Sequence, residues 1–184
     1  MRFEKLQIEG AFLLMPEPAV DERGDFARIF CAREFAGRGL ADSFVQLSVS
    51  RNVKRGTVRG LHYQAAPHWE TKVVRCTRGA IFDVVVDLRR GSATLGRWAA
   101  VELSASARNA VYVPTGSAHG FQTLAADCDV EYLITPEYLP SAATGIRWDD
   151  PTIAIDWPIK EGVTISARDR QLPAFDVRQK EKQV

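Results

Sequence analysis

From residue 72 to residue 135 the chain is a succession of short apolar runs, and nothing else in it constrains the fold as much. KVVRC (72–76), IFDVVVDL (81–88), RWAAVEL (97–103), AVYVP (110–114), HGFQTL (119–124) and DVEYLIT (129–135) follow at short, even intervals. Gly, Pro, Ser and Asp mark the gaps. Runs of this length, rich in Val and Ile, form strands rather than helices. Many short strands with close turn signals build a sandwich, a barrel or a jelly roll, so the pattern predicts an all-β fold. The turn signal TRGA (77–80) predicts a hairpin joining the first two runs. One short helix is predicted near AREFAGRG (32–39), ended by Gly37 or Gly39. No repeat, low-complexity stretch or linker divides the 184 residues, which predicts a single domain over 1–184. The charged end RQKEKQV (178–184) is predicted to fray.

A formal net charge of +1 excludes a general polyanion binder, so no nucleic-acid partner is expected and any anion site must be a local basic cluster. Three cysteines, Cys31, Cys76 and Cys128, are too few and too scattered for a disulfide framework or a zinc knuckle. The start, MRFEKLQIEG, lacks the apolar run of a signal peptide. No stretch approaches the ~20 apolar residues that span a bilayer. These features predict a cytoplasmic protein without a membrane partner.

RGTVRGLHYQ (55–64) gathers Arg55, Arg59 and one of only three histidines, His62. A lone histidine in a strand is often a satisfied core residue. In an alternating strand, however, His62 shares its face with Gly60 and Gln64 rather than with bulky apolar side chains. DRQLP (169–173) supplies an aspartate, Asp169, that could orient the ring. A histidine held by a carboxylate is the better general base. Spacing alone does not pair the two. Arg59 and His62 point to opposite faces of an ideal strand. Either a bulge at Gly60 corrects this or Arg59 serves the site of a second subunit.

Four other stretches could carry chemistry. PTGSAHGF (114–121) contains P-x-G-x-x-H and resembles the second half of the cupin metal motif. The usual first half needs H-x-H and then a glutamate. Here the corresponding residues are His62, Tyr63 and Gln64, and His68 falls at the wrong spacing. His62 and His119 without a placed carboxylate make a poor transition-metal site, so no metal is expected. Lys72 is either an exposed edge-strand lysine or a cation aimed at a developing oxyanion. Tyr132 shares a face with Val130 and Ile134, which suits core packing with its hydroxyl at a rim, or a proton donor facing a histidine. Tyr138, after Pro136, sits in a predicted loop, where it could stack on a nucleobase or cover an apolar patch. Arg23, in DERGDF (21–26), reads locally as the tip of a solvated turn.

Together these stretches resemble the dTDP-4-dehydrorhamnose 3,5-epimerase family. The matching segments are DERGDFARIF (21–30), FVQLSVSRNVKRGTVRGLHYQ (44–64), KVVRCTRGAIFDVVVDLRRGSATLGRW (72–98), VPTGSAHGFQTL (113–124), VEYLITPEYLP (130–140), TGIRWDDPTIAIDWP (144–158) and ISARDRQLP (165–173). The resemblance implies a cupin-type jelly roll, a homodimer, a nucleotide-sugar substrate and no cofactor. It implies His62 as general base with Asp169 as its partner, Tyr132 as proton donor and Lys72 as stabiliser of the enolate. His119 would line the sugar site. Arg23, Gln46, Ser48, Arg59 and Arg168 match positions that bind the sugar nucleotide, and Tyr138 matches an aromatic that stacks on the base. The implied product is a rhamnose precursor for surface polysaccharide.

The chain departs from the family pattern at Arg28, Ser48 and Ala143, where the nucleotide or sugar is usually contacted, and at Glu70 and Thr71 before Lys72. These departures leave open another nucleotide or sugar, or inversion of one centre only. A non-catalytic sugar-nucleotide-binding cupin and a metal-dependent cupin oxygenase are the remaining alternatives.

Overall fold

The structure, a computed structural model, describes residues 1–176. In chain order the strands are β1 (Arg2–Lys5), β2 (Phe12–Met15), β3 (Ala19–Asp21), β4 (Gly24–Phe26), β5 (Gln46–Asn52), β6 (Val58–Gln64), β7 (Thr71–Arg78), β8 (Ala80–Asp87), β9 (Trp98–Ser104), β10 (Ala110–Val113), β11 (Ser117–Thr123), β12 (Cys128–Thr135) and β13 (Ala143–Gly145). The helices are α1 (Ala32–Ala36), closed by Gly37, and α2 (Ala167–Arg170). A six-stranded sheet in the order β1-β2-β10-β7-β12-β5 packs against a five-stranded sheet in the order β13-β6-β11-β8-β9. β3 and β4 form a separate hairpin. This is the predicted all-β architecture with its short helix in place. The end segment 178–184 lies outside the described residues. Among those described, no helix is long and apolar enough to cross a membrane.

Three apolar clusters explain why the strands read as nearly continuous hydrophobic runs. The first lies between the sheets, with Val74, Val111 and Val130 from one side meeting Ile81, Val85, Leu103 and Phe121 from the other. The second covers the outer face of the five-stranded sheet. There Val84, Val86 and Ala118 pack under Ile146, Ile153 and Trp157 from the C-terminal part of the chain. The third covers the outer face of the six-stranded sheet, where Val73, Ala110 and Tyr112 meet Phe35 of α1. Strands buried on both faces lose the simple apolar–polar alternation. Cys76 and Cys128 are core residues of the first cluster. Burial pushes the Cys76 thiol up to about 12, which keeps it protonated and inert.

The predicted hairpin between 72–76 and 81–88 does not form. β7 pairs with β10 and β12, whereas β8 pairs with β9 and β11 in the opposite sheet. Gly79 alone separates the two strands, at φ 81, and the chain turns a corner there. A two-residue loop, which an antiparallel hairpin needs, is missing. A Cβ at Gly79 would stand 2.5 Å from Cys128 Sγ, so a larger residue would displace the core.

Candidate active site

β6 places His62 on the inner face of the five-stranded sheet, and the site grows from a fault in its pairing. His119 of β11 lies opposite His62, but Phe121 lies opposite Arg59. β6 therefore spends one residue more than β11 over this stretch. Gly60, at φ 124, sits in that bulge, and a Cβ there would lie 2.7 Å from the backbone of Gly120. The slip turns Arg59 to the side occupied by His62, and both line one cavity. Of the two sequence readings of Arg59, the bulge is the one observed. The bulge also frees the Gly60 N–H from the ladder, and Asp169 Oδ2 accepts it at 3.1 Å.

Asp169 reaches His62 from α2. Ser166 caps this helix by accepting the Asp169 N–H at 3.0 Å. Asp169 Oδ1 then lies 2.8 Å from His62 Nε2. Burial works to raise the Asp169 carboxyl, but the hydrogen bonds from His62, Gly60 and Ser166 and the charge of His62 hold it below the usual carboxylate range. An ionised aspartate fixes the ring orientation and stabilises an imidazolium.

The cavity measures about 310 Å³. Of the residues singled out in the sequence, His62, Lys72, Tyr132, Ser48, Arg59, His119, Tyr138 and Arg168 all line it. Gln46 stands behind the lining and accepts the Tyr138 N–H at 2.8 Å. Arg23 lies outside it, at the tip of the β3–β4 hairpin, paired with Asp21. Arg28 also lies outside, paired with Glu34 at 3.1 Å. A larger cavity of about 650 Å³ lies on the other side of Tyr63, among Trp69, Leu88 and Phe175, and holds none of the predicted site residues.

Lys72 is not an exposed edge lysine. β7 is an inner strand, and the ammonium is buried with Glu70 Oε1 2.8 Å away. The cation at the cavity wall therefore comes with its own counter-ion, which the sequence reading noted only as a departure. His119 is likewise committed: its Nε2 lies 3.0 and 2.9 Å from the two oxygens of Asp83. Burial raises the Asp83 carboxyl against the opposing pull of His119. Among the described residues, no three or more His, Cys, Asp or Glu side chains are gathered to hold a metal ion.

Tyr132 enters from the six-stranded sheet. Its hydroxyl lies 3.3 Å from Ser50 Oγ, and its ring meets the His119 ring edge-on at 6.2 Å. Burial pushes its phenol pKa well up, with the Ser50 hydrogen bond working in the other direction. A phenol kept protonated can give up a proton to a strongly basic carbanion. Sequence reasoning missed Ser50, Asn52 and Asp83. A signal for the first two existed, because β5 is inverted. Gln46, Ser48, Ser50 and Asn52 share its inner face, while Val45, Leu47, Val49 and Val53 are exposed on the other side.

A base braced by a carboxylate, a buried cation and a facing phenol form an arrangement that can invert a carbon next to a carbonyl. The family model described as dTDP-4-dehydrorhamnose 3,5-epimerase matches residues 5–176. The chain belongs to this family. The dTDP-4-dehydrorhamnose 3,5-epimerase of Sinorhizobium fredii is 42% identical over 95% of this chain and 90% of its own length. A dTDP-6-deoxy-D-glucose-3,5-epimerase of Legionella pneumophila, solved in complex with dTDP-4-keto-L-rhamnose, superimposes with a TM-score of 0.86 at 36% identity, over 95% of this chain and 98% of that one. A dTDP-4-dehydrorhamnose 3-epimerase of Streptomyces niveus is 42% identical over 86% of this chain and 76% of its own length. The fold of this epimerase family member is the cupin-type jelly roll.

Proposed function

We propose that this chain is a cytoplasmic 3,5-epimerase, acting as one domain on dTDP-4-dehydro-6-deoxy-D-glucose and yielding dTDP-4-dehydro-L-rhamnose. The observation that carries the reading is the cavity itself, with His62 held by Asp169 on one wall and Tyr132 on the other. The hydrogens at C3 and C5 are acidic because both carbons flank the C4 ketone. His62 takes one of them, and the electron pair of the C–H bond moves through the new C=C bond onto O4. Lys72 offsets the negative charge on O4, a contact worth ~3–4 kcal/mol of barrier. Tyr132 then delivers a proton to the opposite face of the same carbon, and the ketone re-forms. Each proton-transfer group contributes ~10²–10⁴-fold. The ketone supplies the activation, so the step needs no metal or organic cofactor.

Arg59 and Arg168 would hold the diphosphate by forked, charge-assisted hydrogen bonds. Ser48 and His119 would hold the sugar side of the ligand, and Tyr138, half exposed at the rim and held by Gln46, would stack on the base. Arg23 keeps a nucleotide-binding role only through a second copy, since its hairpin lies away from its own chain's cavity. A homodimer is supported by exposed apolar side chains on β5 (Leu47, Val49) and on that hairpin (Val20, Phe26).

The test is incubation of substrate and protein in deuterated water. Uptake of deuterium at both C3 and C5, with formation of the L-rhamno product, is the expected result. Exchange at one carbon points to a monoepimerase like the Streptomyces relative. Binding without any exchange would leave a sugar-nucleotide-binding cupin.

A further inference from the structure

We infer that Asn52 is a positioning residue that joins the anion anchor Arg59 to the proton donor Tyr132. The inference rests on the epimerase reading above and deepens it.

Asn52 ends β5 and is 2% exposed. Its Oδ1 accepts Arg59 Nε–H at 2.7 Å. Its Nδ2 donates to Ser50 O at 3.2 Å, Ser50 Oγ at 3.3 Å and Cys128 O at 3.2 Å. Ser50 Oγ in turn meets Tyr132 Oη at 3.3 Å. Chemistry forces the amide orientation. Arg59 Nε can only donate, and the two carbonyls can only accept, so a flipped amide would meet like with like on both sides. The side chain is locked, and it locks its neighbours.

Two consequences follow. On one arm, Arg59 is a long, exposed side chain at the cavity wall. Asn52 holds Nε and a longer bond runs from one terminal nitrogen to Arg51 O at 3.4 Å, which leaves the remaining terminal N–H groups for a phosphate while removing much of the side chain's rotational freedom before the ligand arrives. On the other arm, Asn52 occupies an acceptor site on Ser50 Oγ. With one acceptor site taken, the arrangement favours the Ser50 hydroxyl as donor to Tyr132 Oη, which leaves the phenol's own proton for the substrate. The same contact stabilises the phenolate after transfer. One buried amide thus serves both ends of the reaction.

Two variants separate the arms. Asn52→Ala removes both. Asn52→Asp keeps an acceptor for Arg59 but takes the Ser50 proton for itself. In Asn52→Ala the dissociation constant for dTDP should rise about tenfold. Its Arg59 Nε–H resonance should lose the solvent protection it has in the unaltered, ligand-free protein. In Asn52→Asp the Arg59 Nε–H should stay protected, while the added negative charge beside the guanidinium weakens dTDP binding. In both variants the ratio of deuterium uptake at carbon to product formed should rise, because abstraction by His62 continues while delivery by Tyr132 falters. A merely structural residue would depress uptake and product together. Proportional loss of the two overturns the inference, and so does Asn52→Ala with Arg59 still protected and dTDP binding unchanged. If Asn52→Ala does not fold, Asn52→Asp decides by the uptake-to-product ratio. If the unaltered protein neither exchanges nor converts substrate, the epimerase reading fails. The Arg59 resonance, which needs no substrate, still decides whether Asn52 holds the anchor.

Discussion

His62 Nε2 and Asp169 Oδ1 lie 2.8 Å apart in space and 107 residues apart in the chain. The aspartate is held from two further sides, by the Gly60 N–H and by its own N–H on the Ser166 cap. This is a rigid brace, and it makes the proposed base the first place to cut. His62→Ala should abolish both turnover and solvent-deuterium uptake, with dTDP affinity changed by only a few fold in calorimetry. Asp169→Asn should lower kcat by ~10²-fold or more, because an amide cannot stabilise the imidazolium.

Lys72 gives a second prediction. Lys72→Met keeps the length of the side chain and removes the charge, and kcat should fall by ~10²–10³-fold with a smaller change in KM. A large rise in KM with kcat intact would instead assign Lys72 to ground-state binding.

Stability at low pH should depend on a residue outside the cavity. Burial alone would raise the Asp87 carboxyl. The guanidinium of Arg89 and the hydroxyls of Ser92 and Thr94 more than offset it and bring the value down to about 2. A depressed folded-state value means that the stabilisation is present above the ordinary carboxylate range and is lost as pH falls through about 2. Asp87→Asn should therefore cost about 2 kcal/mol of unfolding free energy at neutral pH. The gap between variant and parent should narrow as the pH is lowered through that range. Denaturant melts at several pH values measure this.

The outer face of β5 yields a prediction about assembly. Leu47 and Val49 are 69% and 66% exposed on an edge strand, with Val20 and Phe26 similarly bare. Leu47→Asp should convert the proposed homodimer to a monomer in light scattering. Nucleotide binding should weaken in parallel, because Arg23 would no longer reach a second copy's cavity. A parent protein that is already monomeric would remove both expectations.

Much of the site was legible because a few residues are unusual where they stand. A histidine flanked by small or polar residues in a strand stands out, whereas Lys72 and Tyr132 suited ordinary roles as well, and the resemblance decided between the readings. Asp169 did not stand out: no spacing rule links it to His62, and only the resemblance paired them. The sheet assignment of β7 and β8 was illegible for a different reason. Both are largely buried on two faces and carry charged residues inside, so alternation carries little information, and the turn signal between them suits a corner as well as a hairpin. Glu70 was visible as a departure, but its bond to Lys72 depends on how far the β6–β7 connection lets it fold back. The inverted pattern of β5 was readable in principle. The resemblance picked out Gln46 and Ser48, and the same alternation extends to Ser50 and Asn52.

His62 stands on one sheet and Tyr132 on the other, with the inter-sheet core beside them. The gap a proton must cross is therefore governed by the thickness of the protein's filling. Swelling or shrinking that filling by a methylene at Val85 or Val111 would retune the reach between the two groups without altering either. In this molecule a packing variant is a kinetic variant.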